Sequence, residues 1–327
     1  MDLKNNQDSF VNLKFINETD KEVRLDIIIL NSLASEPEYA HSTRSQIKNL
    51  ILGEKVLVNG KIVTKAGFLV KPKIEFEIFI QKEKDTYLKP YDFPLNIVFE
   101  DKDLLVINKP ANLSMHPGAG NKEFTLLNAL VFYLQKPAYL VHRLDKDTTG
   151  LVIVAKNENI QNLLTKQFLD KKVNRLYYAL ALVGPRGGKV IQESDSGRIE
   201  TFYGRHPIHR KKMSVLKDSG RIAITNWKVI EKFDYAYLLE LKLGTGRTHQ
   251  IRVHLDYLKS PIIGDTLYGN FQSLPEKLQK VAKAFNRQAL HSYFLQFIHP
   301  RNHKLVSFQA DFPEDFKGLL DVFKTTR

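Results

Sequence analysis

Apolar residues recur at helical spacing from Val23 to Leu33, through Leu25, Ile28 and Ile29, which predicts a helix. A second helix is expected from Ser42 to Leu52. Ile47, Leu50 and Ile51 share one of its faces, Ser42 and Thr43 are good N-caps, and Gly53 stands where a C′ residue closes a helix. Two short β-branched runs follow, Val56–Val58 and Lys61–Val63, joined by Asn59-Gly60, a strong hairpin signal. Phe76–Ile80 reads as one more strand. The first 20 residues are polar and expected to be loosely held, and 83–93 is charged and Pro-bearing, the pattern of a linker. From Pro94 the pattern changes to many short strands: Ile97–Phe99, Leu104–Ile107, Leu151–Ala155, Tyr177–Leu182, Ala223–Ile230 and Tyr235–Leu243. Helical stretches are expected near 124–134 and 157–170. The reading is therefore an α+β chain in four parts: 1–20, a small helix-on-sheet module at 21–82, the linker 83–93, and a larger mixed, largely antiparallel-sheet domain at 94–327.

Charge adds a partner class. The 327 residues carry 49 Lys and Arg against 36 Asp and Glu, a net charge of +13, which points to a polyanion. Two segments concentrate the imbalance. Residues 41–73 hold seven cations against Glu54, and residues 201–228 hold seven against Asp218, so two phosphate-contacting surfaces are expected. Cysteine is absent. That removes disulfides, thiolate metal sites and a Cys nucleophile, and fits a reducing compartment. No apolar run reaches the roughly 20 residues of a membrane helix, and the polar N-terminus does not resemble a signal peptide. A soluble, cytoplasmic, monomeric protein is expected.

Several cofactor motifs are missing. No Gly-rich loop joins a strand to a helix and no GxxxxGK[ST] occurs, which argues against dinucleotide and nucleotide-triphosphate sites. His249 and His254 lie five apart with no HExxH pattern, so no metal is expected. Lys212-Met213-Ser214 has the look of a synthetase loop, but Val215 stands where its next lysine belongs. Two segments remain as candidate chemistry. One is the polar turn from His142 to Thr148, feeding the apolar run Leu151–Ala155, since catalytic groups favour such strand mouths. The other is Leu243–His254, LGTGRTHQIRVH, where two glycines set a tight backbone and Arg247 and Arg252 could meet a carboxylate or phosphate.

The run RLD at 24–26 followed by STRSQIKNLILGEKVLVNGKIVTKAGFLV resembles the S4 RNA-binding domain. The resemblance implies an RNA surface formed by Arg44, Lys48, Lys55 and Lys61. In the larger domain, HRLDKDTTGLVIVAK, LGTGRTHQIRVH with SPIIGDTLYG, INKPANLSMHPG and RQALHSYFLQFIHP resemble the signatures of the RluA family of RNA pseudouridine synthases. GRHPIHRKKMSV and GRIAITNWKV look most like its RluD group, which modifies large-subunit ribosomal RNA. The fold implied is an S4-like domain followed by a pseudouridine synthase catalytic domain, with ribosomal RNA or an assembling large subunit as partner and no cofactor.

The resemblance also implies residue roles. Asp145 is the catalytic carboxylate, Arg247 its ion partner, and Tyr177 the tyrosine that stacks on the target base. Arg143, with His142 beside it, enters the RNA stack as the uridine leaves, and Leu243 packs the base pocket. Arg205, Arg210, Lys211 and Lys212 would grip RNA beside the target. The chemistry agrees with the missing motifs: moving uracil from its N1 to its C5 attachment needs no redox partner and no imported group. A stacked uridine must be flipped out, at a cost of a few kcal/mol, and a carboxylate can then attack C1′ or remove the C2′ proton. Three positions depart from the family pattern: Thr149 for Ser, Asn112 for Gly and Arg175 for Lys. Asn112 is expected to take the left-handed backbone region that Gly would occupy. A tRNA target, or a silent RNA-binding assembly factor, are the alternatives.

Overall fold

The computed structural model describes residues 10–36, 39, 42–81, 88–118, 120–183 and 189–326. Residues 1–9 of the expected loose segment and 83–87 of the expected linker lie outside them. The chain divides into two compact units, Met1–Tyr87 and Leu88–Arg327.

In the first unit, β1 (Phe10–Ile16), β2 (Val23–Arg24), α1 (Leu25–Ala34), α2 (Arg44–Leu52), β3 (Val56–Val58), β4 (Lys61–Ile62), β5 (Leu69–Val70) and β6 (Glu75–Gln81) follow in order. The main sheet runs β1-β6-β3-β4, and β2 pairs β5. The helices bury Leu25, Ile29, Ile47 and Ile51 against Phe76 and Ile78. Thr43 caps α2, accepting from the backbone N of Gln46, whose side chain accepts in return from Thr43 N, a reciprocal capping box. Two details differ from the sequence reading. The segment 10–16, expected loose, is a full strand, because every residue from Phe10 to Ile16 pairs with β6. Gly53 ends α2 at a negative φ (−83°), and Glu54 takes the left-handed conformation (φ 61°). Asn59 and Gly60 turn the β3–β4 hairpin with φ of 50° and 70°, both positive as a type I′ turn requires.

The second unit contains β7 (Ile97–Glu100), β8 (Leu104–Lys109), α3 (Leu126–Leu134), β9 (Tyr139–Leu140), β10 (Thr149–Ala155), α4 (Glu158–Leu169) and β11 (Asn174–Leu182). There follow α5 (Lys189–Glu193), β12 (Ser196–Arg205), β13 (Met213–Leu216), β14 (Arg221–Lys232), β15 (Ala236–Leu243) and α6 (Gln250–Tyr257). The chain closes with α7 (Glu276–Phe285), β16 (Leu290–Ile298), β17 (Leu305–Gln309) and α8 (Glu314–Thr325). Among the described residues eleven strands form one sheet, ordered β13-β12-β14-β15-β11-β16-β10-β8-β7, with β17 on β16 and β9 on β10. All pairs are antiparallel except β10 with β16, so the fold is α+β with a mixed sheet. Residues 88–93, expected as linker, contribute to this unit. Tyr91 and Phe93 pack on its core, and Asn128 Nδ2 donates to Lys89 O at 2.8 Å.

The central strand β10 is buried along its whole length. Val152 and Val154 face the core shared with α3, α7 and α8, while Leu151 and Ile153 face α4 and β17. Alternation therefore fills both faces with aliphatic residues. Gly150 sits at φ 111°, where a Cβ would come within 2.2 Å of Ser292 O. Only glycine lets β16 approach there, and that approach brings the C-terminal strands to the mouth of β10.

Candidate active site

The turn from His142 to Thr148 is clamped from several elements. Lys109, at the end of β8 and fully buried, donates to Pro110 O (2.6 Å), Leu113 O (3.0 Å) and Lys146 O (2.8 Å). Three acceptors use all three ammonium hydrogens. Burial lowers its pKa to about 7, against the opposing pull of Asp147 and Asp145. From the other side, Arg287 donates to Asp147 O (3.2 Å) while its fork holds Asp315 at the start of α8 (2.7 and 2.9 Å). Gln288 Nε2 donates to Thr148 Oγ1 at 2.9 Å. The loop after β8 turns through Asn112 at φ 60°, the left-handed conformation expected of it.

With its backbone held, the turn presents the Asp145 carboxylate to a cavity lined also by Arg143, Tyr177, Leu243, Arg247 and His249. The ion partner of Asp145 is Arg252, with Nη1 to Oδ2 at 3.1 Å. This corrects the expectation for Arg247. The reason is helical: α6 begins at Gln250, which turns Arg252 inward at its first turn. Asp265 then fixes the guanidinium through Nε (2.7 Å) and Nη2 (2.9 Å). Burial opposes the charge on Arg252, but Asp265 and Asp145 together hold its pKa above the ordinary arginine value. Arg247 precedes the helix. It lines the same cavity, but its Nε donates to Ile222 O at 3.4 Å.

Tyr177 is 3% exposed and lies on β11 at a register shift against β16, with Leu243 at the end of β15. Arg143 is exposed at the mouth. His142 braces the strand: its Nε2 accepts from Ile153 N at 3.0 Å, and its ring stacks on Phe168 at 5.0 Å. Burial, aided by Arg175, lowers its pKa to about 3, so it is neutral at physiological pH. One edge of the ring still lines the groove that runs from Asp145 past His116, Phe168 and Arg175. The sequence reading did not single out Lys109, Arg287 or Asp265, and it weighed His249 only as a metal ligand. The usable signal lay in NKP, RQ, THQ and GD inside the four quoted segments.

The cationic candidates lie on two separate units. Arg205, Arg210 and Lys211 are exposed around the β12–β13 loop. The tip of that loop is tied by His206 Nδ1, which accepts from Ile208 N and His209 N, both at 3.1 Å. Lys212 is half-buried, with its ammonium 5.6 Å from the centre of the Tyr268 ring. In the first unit, Lys48 and Lys61 are exposed, Arg44 stands 3.7 Å from Asp26, and the Lys55 ammonium lies 4.6 Å over Phe10. Asp101, Asp103 and His299 bring possible metal-ligand atoms together, but Arg301 already pairs with Asp103 and His299 with Asp101.

Residues 103–257 match the family model of RNA pseudouridylate synthase, and residues 39–73 match that of the S4 domain. The protein is 41% identical over 298 residues to "Ribosomal large subunit pseudouridine synthase D" of Haemophilus ducreyi, covering 88% of each chain. It is 38% identical over 297 residues to the protein of the same name in Escherichia coli K12, covering 88% of this chain and 87% of that one. Among solved structures, human RNA Pseudouridylate Synthase Domain Containing 4 superposes with a TM-score of 0.54 at 25% identity, over 69% of this chain and 92% of that one. With this site geometry and these likenesses, the chain belongs to the RNA pseudouridylate synthase family, as an RNA pseudouridine synthase bearing an S4 domain.

Proposed function

We propose that this enzyme converts uridine to pseudouridine at chosen positions of large-subunit ribosomal RNA, with Asp145 as the catalytic carboxylate. The observation that carries the reading is the Asp145 side chain on the cavity, bound by buried Arg252 and opposite Tyr177 and Leu243. The names of the 41% and 38% identical relatives support the ribosomal target. Arg252 orients the carboxylate through its Nη1 contact, the role the sequence reading gave to Arg247. Asp145 attacks C1′ or removes the C2′ proton. The C1′–N1 bond breaks, uracil turns, and a C1′–C5 bond forms; C5 loses its proton and N1 takes one up, so the net change is an isomerisation. Tyr177 stacks under the flipped base, Leu243 packs its edge, and Arg143 fills the gap left in the helix, offsetting the unstacking cost. Arg247, freed from Asp145, contacts an RNA phosphate at the cavity wall. His142 supports the strand and touches RNA only by its groove edge.

In this reading the β12–β13 loop grips RNA beside the target through Arg205, Arg210, Lys211 and Lys212. The S4 domain adds affinity through Arg44, Lys48, Lys55 and Lys61 but no chemistry. The enzyme works as a cytoplasmic monomer on ribosomal RNA, free or in an assembling large subunit. The test is pseudouridine formation on a ribosomal RNA transcript, with chelator present and no nucleotide added. Asp145→Asn should abolish turnover while RNA binding survives. Asp147→Asn should keep substantial activity, since Asp147 engages Arg287 through its backbone carbonyl. Robust turnover by folded Asp145→Asn, or activity that dies with chelator, would sink the proposal.

A further inference from the structure

His249 is the non-glycine residue of the Asp145 cavity with a left-handed backbone, at φ 58°. It stands at the N-cap of α6, yet its side chain makes no capping bond. Strain of this kind is retained where the surroundings demand a particular side-chain direction. Here the imidazole lies between two partners. Its Nδ1 is 2.9 Å from the Tyr268 hydroxyl, and its Nε2 is 3.9 Å from Asp145 Oδ2.

The hydrogen bonds select one tautomer. Tyr268 Oη accepts from the backbone N of Met213 at 2.8 Å. Its own hydrogen is then free to be donated to His249 Nδ1. The neutral imidazole therefore carries its hydrogen on Nε2, facing the carboxylate. The opposite tautomer would aim a lone pair at an anion. Arg252 and His249 both address Oδ2, which leaves Oδ1 for the ribose. At 3.9 Å the histidine contact is longer than a hydrogen bond, and such catalytic contacts tighten in the substrate complex. Tyr268 also touches both neighbourhoods: its ring centre is 5.1 Å from the Arg252 guanidinium and 5.6 Å from the Lys212 ammonium.

We propose that His249 is a second positioning residue for Asp145, its Nε2–H holding Oδ2 while Oδ1 reacts, and that Tyr268, itself held by the backbone N of Met213 in strand β13, fixes this tautomer. The proposal rests on Asp145 being the catalytic carboxylate. It makes the seat of the basic β12–β13 loop continuous with the catalytic centre, through Met213, Tyr268 and His249.

The experiment compares His249→Leu, His249→Gln and Tyr268→Phe in single turnover at saturating RNA transcript, with the RNA Kd and a thermal melt for each. Leu and Gln carry similar backbone strain at a positive φ, so their difference reports the side-chain N–H. His249→Leu should slow the saturating rate about 10–100-fold, as loss of an orienting partner does elsewhere, with Kd unchanged within about twofold. Gln, whose amide N–H can reach the same oxygen, should recover most of that rate. Tyr268→Phe should slow the rate with Kd intact. A full saturating rate in His249→Leu, a Gln variant as slow as Leu, or a full rate in Tyr268→Phe would overturn the proposal. If the Leu variant does not fold, Gln against wild type and Tyr268→Phe decide it. Asp145→Asn runs alongside: activity there would instead overturn the reading of Asp145.

Discussion

Arg247 and Arg252 stand five positions apart in one basic segment, yet their environments differ sharply. Arg252 is 7% exposed and lies between two carboxylates, whereas Arg247 meets a single backbone carbonyl. Removing one partner of a buried ion network leaves uncompensated charge and typically costs about 3–5 kcal/mol. Arg252→Met should therefore lose stability on that scale in urea unfolding, since Asp145 and Asp265 both lose their guanidinium partner. Arg247→Gln should change stability by less than about 0.5 kcal/mol, as surface changes usually do. Equal losses would mean that the buried network is not what holds Asp145. The sequence offered both arginines, and spacing alone could not choose. The choice depends on where a helix begins, and therefore on which side chain turns inward.

At the scale of elements, the legible parts were those whose hydrophobic period matches their burial. The β3–β4 hairpin, β8, β10 and α4 all follow their patterns. The α6 helix does not. Gln250, Arg252 and His254 are buried on it alongside Ile251, Val253 and Leu255, so polar groups satisfied by tertiary partners erase the apolar stripe. Strand β12 hides similarly, because its burial is partial and irregular. The β12–β13 loop carries its own prediction. Arg210 and Lys211 are exposed, whereas Lys212 also packs on Tyr268 and is best left intact. Replacing Arg210 and Lys211 with Gln should weaken RNA binding and flatten the slope of log K against log salt by about 1.5, given 0.7–0.9 per phosphate contact. An unchanged slope would mean that these charges only solvate the loop.

For the whole molecule, acid stability follows from two buried histidines. Burial lowers His142 to about 3, with Arg175 adding to it, and lowers His254 to about 4. Both are neutral in the folded protein, while the unfolded chain binds protons below the ordinary value near 6.5. Unfolded protein thus binds more protons as pH falls from 6.5 toward 4, so stability drops across that window. Each histidine contributes up to about 1.4 kcal/mol per pH unit. His142→Phe keeps the stacking partner of Phe168 and should flatten the slope of unfolding free energy between pH 6 and 4.5 by about that amount, even though the variant is less stable overall. The same slope in both proteins would show that His142 is accessible to protons when folded.

The sequence by itself determined the chemistry class and much of the local structure. Residue types at fixed spacing, as in HRLD and GRTHQIRVH, are local facts, and so are hairpin turns, a cap such as Thr43 and the left-handed Asn112. Tertiary structure decided the pairings. That Arg252 rather than Arg247 meets Asp145, that β1 completes a sheet with a strand some sixty residues later in sequence, and that Lys109 and Arg287 clamp one turn from opposite sides all depend on contacts between distant segments. No local pattern encodes such contacts, because their free energy appears only when the sheet and helices have already brought the partners together.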